Sequence, residues 1–147
     1  MEDVALLILY GSQTGNAEHL AGQLHAMCLA NGVNAVSMNM SAYDPDELEN
    51  VRNLAIIVST HGIGEPPISA QQCYFSLVQS TQKLHQLQYT VLALGDTEYA
   101  LFCEAGKDFD RVLNELGATR IIPRVDCDVN YEARARQWMK TLIMNLK

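Results

Sequence analysis

Short apolar runs, each followed by a punctuated segment and most of those by a stretch of helical period, leave this chain few folds to choose from. Residues 4–10 form a continuous apolar run of strand length. Such a run reads as a strand covered on both faces, as in a parallel sheet. Residues 11–15 interrupt it. From 16 to 30 the positions Ala17, Leu20, Ala21, Leu24 and Cys28 share one helical face, and Asn31-Gly32 supplies a stop. Residues 33–38 can form a second strand. Asp44-Pro45-Asp46-Glu47 then looks like a turn into a short helix, with Pro45 at an early helical position.

The pattern continues in the second half. Residues 54–60 are a buried strand, 61–68 a Gly/Pro-rich loop and 69–79 a helix. A fourth strand spans 89–94 and runs into Gly95-Asp96. Phe102, Ala105, Gly106, Phe109, Val112, Leu113 and Leu116 fall on one helical face, which Gly117 closes. Residues 119–125 are a weaker fifth strand. Tyr131, Ala135, Trp138, Leu142 and Leu146 mark a final amphipathic helix. There are no repeats and no long linker. Strand–helix alternation of this kind predicts one α/β domain over residues 1–147, with a doubly wound parallel sheet. Ligands of such sheets bind outside the carboxyl ends of the strands, near a switch in strand order. The loops after strands one, three and four are therefore the ones that matter.

Composition narrows the partners. Net charge is -7 and the pI about 4.9. Arg52 is the only base before Lys83, against eight acids. An acidic surface argues against nucleic acid and fits basic partner proteins, although acidity that only aids solubility would read the same. No apolar run approaches the roughly 20 residues that span a bilayer, and the start Met1-Glu2-Asp3 is acidic where a secretory signal is basic. The expected location is the cytoplasm. Cys28, Cys73, Cys103 and Cys127 are far apart with no C-x-x-C, so neither zinc nor a dithiol motif is indicated.

The first loop reads Gly11-Ser12-Gln13-Thr14-Gly15-Asn16-Ala17. It joins a strand to a helix, whose free N–H groups and dipole attract phosphate. Ser12 and Thr14 add hydroxyl donors, and Gly15 permits close backbone approach. No Lys or Arg occurs before Arg52, and the string is neither G-x-x-x-x-G-K-[ST] nor G-x-G-x-x-G. An uncharged cradle suits one permanently held monophosphate; an ordinary capped turn remains the alternative.

The string Gly-Ser-Gln-Thr-Gly-Asn-Ala-Glu, however, resembles the phosphate loop of flavodoxins, especially the FMN domains of diflavin reductases. Two further segments are similar and in the right order. Ser59-Thr60-His61-Gly62-Ile63-Gly64-Glu65-Pro66-Pro67 resembles the second flavin loop, and Leu94-Gly95-Asp96-Thr97-Glu98-Tyr99-Ala100-Leu101-Phe102-Cys103 the third. The stretch from Arg124 to Glu132 is similar to the sulfite reductase flavoprotein type. The resemblance runs from about Val4 to Trp138. It implies a flavodoxin-like five-stranded sheet of order 2-1-3-4-5 with helices on both faces, and bound FMN.

By that resemblance Ser12, Gln13, Thr14, Gly15, Asn16 and Ala17 would hold the phosphate. Ser59, Thr60, His61 and Gly62 would line one side of the flavin ring. Leu94, Gly95, Asp96, Thr97, Tyr99, Phe102 and Cys103 would build the other, with Tyr99 stacked on it. The family commonly has an aromatic residue or glutamine at position 61 and an acidic or polar one at 63, where this chain has His61 and Ile63. His61 is open between stacking, hydrogen bonding and solvent; Ile63 would leave an apolar spot. Gly62 is the peptide expected to turn either its N–H or its C=O to the flavin. Asp96, Glu98, Asp126 and Asp128 put negative charge near the cofactor, from which a low-potential donor is expected.

The implied function is a short-chain, monomeric electron carrier. It would take electrons from a flavin-dependent NADPH reductase and give them to an acceptor enzyme, both basic. No catalytic residue and no metal ligand is expected. His19, His25 and His85 are scattered and read as surface. A phosphoacceptor receiver domain shares the architecture but needs acids after strand one, an Asp ending strand three and a Lys after strand five. Here those places hold Gly-Ser-Gln, Ser-Thr-His and Val-Asp-Cys. Two other classes stay open: an FMN-dependent quinone or azo reductase, and an interaction module that has lost FMN. The sequence contains no FAD or NADPH half, so it is either a free-standing carrier or one domain excised from a diflavin reductase; its end just after the last helix favours the free-standing expectation.

Overall fold

The computed structural model describes residues 4–11, 15–60, 67–96 and 103–146. In chain order they form β1 (Leu6–Gly11), α1 (Asn16–Ala30), β2 (Ala35–Asn39), β3 (Asn53–Ser59), α2 (Ile68–Val78), β4 (Gln88–Leu94), α3 (Glu104–Glu115), β5 (Thr119–Arg120), β6 (Val125–Cys127) and α4 (Glu132–Leu146). Two 3-10 turns, Met40–Ala42 and Pro45–Asn50, link β2 to β3. The second takes the place of the short helix expected after Asp44. Its Asp44 carboxylate accepts from the Asp46 N–H at 3.0 Å.

All strand pairings are parallel, in the order β2-β1-β3-β4-β5, with β6 also paired to β4. Because side chains alternate along a strand, each strand feeds two cores. Leu6 and Ile8 join Ala55, Ile57 and Leu92 under α1 and α4. Leu7 and Leu9 join Leu54, Ile56, Val58, Tyr89 and Val91 under α2 and α3. The buried residues of α1 are the five expected from its period. Trp138 of α4 reaches the sheet and donates its indole N–H to the Thr90 hydroxyl at 3.0 Å, so the buried polar pair is satisfied. Tyr74 and Phe109 meet edge to face at 5.4 Å between α2 and α3.

The fifth strand, expected as one run over 119–125, is two pieces. The Ile121 N–H still bonds the Tyr89 carbonyl at 2.7 Å; the chain then leaves the sheet and rejoins β4 at Val125. Pro123 lies in the gap and has no N–H to give a ladder. The break is bridged by a buried carboxylate that the apolar period of α3 passed over. Asp110 accepts the Tyr89 hydroxyl at 2.6 Å, Arg120 Nε at 2.8 Å and an Arg124 guanidinium N–H at 2.5 Å. Burial alone would push the Asp110 carboxyl up. The hydrogen bonds from Tyr89 and Arg120, with the charges of Arg120 and Arg124, outweigh it and hold the group below its usual range.

Candidate functional site

Register brings the three loops to one level. Gly11 pairs with Val58, Val58 with Ala93, and Ala93 with Asp126. The chain therefore leaves β1, β3 and β4 within about one residue of a common row. β1 lies between β2 and β3, so the connection after β1 goes one way and that after β3 the other. A crevice opens at such a switch. Packing fixes its floor. A Cβ on Gly11 would stand 2.7 Å from Ala70 Cβ, so only glycine lets α2 come this close to the end of β1. Nothing local in the sequence signals that approach.

At the first loop, Gly15 is the N-cap of α1, with φ 86° and no side-chain cap. The left-handed conformation suits glycine, and among the described residues a Cβ there would meet nothing within 4 Å. The helix behind it is 15 residues long, with a full dipole, and the N–H groups of its first turn have no intrahelical partners. Ala17 is buried and contributes only backbone, while Asn16 is exposed. Glu18, the acid of the first turn, is exposed to solvent. The arrangement fits a phosphate group. Ser12, Gln13 and Thr14 lie outside the described residues.

The second and third loops are tied at their bases. The Thr60 N–H donates to the Leu94 carbonyl at 3.0 Å, and the Thr60 hydroxyl oxygen accepts from the Ala105 N–H at 3.0 Å. The Gly95 N–H donates to the Cys127 carbonyl at 2.9 Å. Ser59, Thr60, Gly95 and Asp96 are half-buried, whereas the Leu94 side chain packs into the core beneath α1 and α4. His61, Gly62, Thr97, Tyr99 and Phe102, with Ile63, Glu65 and Glu98, lie outside the described residues.

Cys103, expected as part of a flavin wall, has its side chain wholly buried. It is the single non-glycine residue with positive φ among those described, at 55°. Its thiol lies 3.4 Å from the Ala93 carbonyl and 3.5 Å from that of Cys127, and can donate to either. Burial, helped by the Asp126 charge, pushes that thiol up to about 12. It is a buried fastener, not a nucleophile. Asp126 is likewise not a free charge beside the crevice: Arg124 Nε holds its carboxylate at 2.8 Å. His25 is half-buried and bonds the Ala35 carbonyl at 3.0 Å, at the amino end of β2 and not at the carboxyl ends of the strands. Among the described residues no group of acids, histidines or cysteines could hold a metal, and no helix is long and apolar enough to cross a membrane.

The family profile of flavodoxin matches residues 8–138. The chain is 45% identical over 140 residues, 95% of its length, to the sulfite reductase (NADPH) flavoprotein alpha-component of Bacillus subtilis. It is 43% identical over 141 residues to the protein of that name from Shewanella sp. strain ANA-3. It spans 23% of the length of each of these relatives. Among solved structures, a cysteine-to-alanine mutant of flavodoxin from Pseudomonas aeruginosa superposes with a TM-score of 0.84 at 28% identity, covering 96% of this chain and 97% of that one. The Streptococcus pneumonia TIGR4 flavodoxin does so with 0.85 at 26%, covering 96% of each. A profile match over most of the chain, relatives this similar, and the strand order that switches between β1 and β3 together establish that this chain belongs to the flavodoxin family, whose cofactor is FMN.

Proposed function

We propose that this chain holds FMN at the carboxyl ends of β1, β3 and β4 and passes its electrons between two proteins. The observation that carries the reading is the glycine-led start of α1, which has no side-chain cap and follows β1, whose last residue, Gly11, lies on the same row as the bases of the other two loops. A helix start of this kind binds a terminal phosphate without a basic side chain. The phosphate would be held by residues 12–17. The ring would lie between the loop that begins at Ser59 and Thr60 and the one that runs from Leu94 to Cys103.

FMN supplies reversible one- and two-electron chemistry when bound; the protein supplies position and field. Thr60 and Gly95 tie the bases of the two loops by backbone bonds to Leu94 and Cys127. Asp126, at this edge, is neutralised by Arg124. The acidic chain suits basic partners drawn by charge. The relatives carry NADPH and sulfite reductase in their names. We therefore assign the donor as an NADPH-dependent flavin reductase and the acceptor as an enzyme of the sulfite reductase class. The four cysteines are unpaired and buried, which suits a reducing compartment, and we place the carrier in the cytoplasm.

The test is a visible spectrum of the purified chain, with the heat-released cofactor identified by mass. A flavin spectrum with about one FMN per chain is expected. A colourless chain that takes up no added FMN would refute the reading.

A further inference from the structure

Thr60 touches both ends of the third loop. Its N–H meets the carbonyl of Leu94, where the chain enters that loop, and its hydroxyl oxygen meets the N–H of Ala105, just past the exit. The second bond does the work of a helix cap. α3 begins after Cys103, whose own side chain gives it no cap, so the acceptor comes from a residue 45 positions away in the sequence. A side-chain oxygen that bonds a first-turn N–H normally belongs to the helix's own N-cap. Here it belongs to the last residue before the second loop. The two expected ring walls therefore share one side chain at their base.

The Cys103 thiol reinforces the same junction. Its carbonyl contacts at Ala93 and Cys127 pull the exit toward the ends of β4 and β6. These contacts hold Cys103 in a left-handed conformation that a non-glycine residue adopts at a cost.

We propose that Thr60 is a positioning residue for FMN, a clasp that keeps the exit of the third loop closed against the base of the second. The inference rests on the FMN reading above. Without the hydroxyl acceptor, the Ala105 N–H loses its partner and the exit opens part of the time. Only the closed fraction can accept the ring, so apparent affinity falls by that fraction.

FMN is titrated into the apo forms of wild type, Thr60→Val and Thr60→Ser, followed by quenching of flavin fluorescence. Exchange of the Ala105 amide is measured in each apo form. Thr60→Val should bind FMN more weakly, by at most about fivefold, the ceiling set by a lost cap of about 1 kcal/mol. Its Ala105 amide should exchange faster. Thr60→Ser keeps the acceptor and should restore both. Glu115→Gly weakens α3 at its far, exposed end and should leave FMN affinity as in wild type. Thr60→Ala is read in the same way should Thr60→Val misfold. Equal affinity in Thr60→Val and wild type would overturn the clasp alone, as would a Thr60→Ser as weak as Thr60→Val or a Glu115→Gly that binds FMN as weakly. Wild type that takes up no FMN would overturn the functional reading and the clasp with it.

Discussion

α1 and α3 both start at the carboxyl edge of the sheet, and both starts are left-handed, at Gly15 and at Cys103. Neither N-cap bonds its helix through its own side chain. From there they diverge. At α1 the start follows the first loop, and among the described residues none lies within 4 Å of a Cβ placed on Gly15. At α3 the Ala105 N–H is taken by Thr60, and the Cys103 thiol is buried against two strand carbonyls. One helix start is led by glycine, and the other is tied to the base of the second loop. A loop that must present donors to a phosphate needs an unfilled helix end. A loop that must present a wall to a flat ring needs a fixed one.

The largest test of this contrast is Gly106→Ala. A Cβ there would stand 2.2 Å from Ala93 Cβ and 3.2 Å from Ala93 Cα, so α3 would have to move off β4. We expect a loss of about 3 kcal/mol in urea unfolding, the upper range for overpacking. FMN affinity should fall too, because the fixed start moves with its helix.

Asp110→Asn comes next. α3 is also fastened at its middle by charge, which α1 is not. Removing one charge from a buried cluster is severe, but Arg120 and Arg124 are 42% and 27% exposed and can turn to water. About 2 kcal/mol should be lost at pH 7. The pH dependence has a fixed sign. The Asp110 carboxyl lies below its ordinary value in the folded chain. Its contribution is complete above the usual carboxylate range, about pH 4, and disappears as pH falls through the lowered folded value. Acid unfolding of the Asn variant should accordingly be flatter below about pH 4 than that of wild type.

Gly15→Ala should show the smallest effect. With no neighbour to strike, the methyl group costs only the left-handed backbone, about 1 kcal/mol by thermal or urea unfolding. Gly22, exposed inside α1 with nothing near it, is the control: Gly22→Ala should stabilise by about 0.8 kcal/mol. A Gly15→Ala variant as stable as wild type would mean that the left-handed start of α1 is not required.

The legibility of the sequence follows the same division. The face of α1 and the buried strands could be read from apolar period, because burial on a strand or helix is a local pattern. Loop positions could be read from glycines and from the resemblance. The role of Thr60 could not, since its partner is 45 residues away. Nor could that of Asp110: an acid beside Phe109 looks solvent-facing until Tyr89, Arg120 and Arg124 are brought around it. An acid inside an apolar helical face, with arginines in the strand that follows, is the signal that could have found it. The break in the fifth strand has a local cause in Pro123, which follows the apolar pair Ile121 and Ile122.

That break has a consequence for life in a crowded solution. The outer strand of an open sheet exposes backbone to which another chain can add itself, and long flat edges invite aggregation. Here that edge consists of β5, two residues long, and β6, three residues long, separated by a proline-bearing detour and flanked by Arg120 and Arg124. At this edge a second molecule would find no continuous ladder to extend, so the interruption guards that side of the sheet, opposite β2, against stacking.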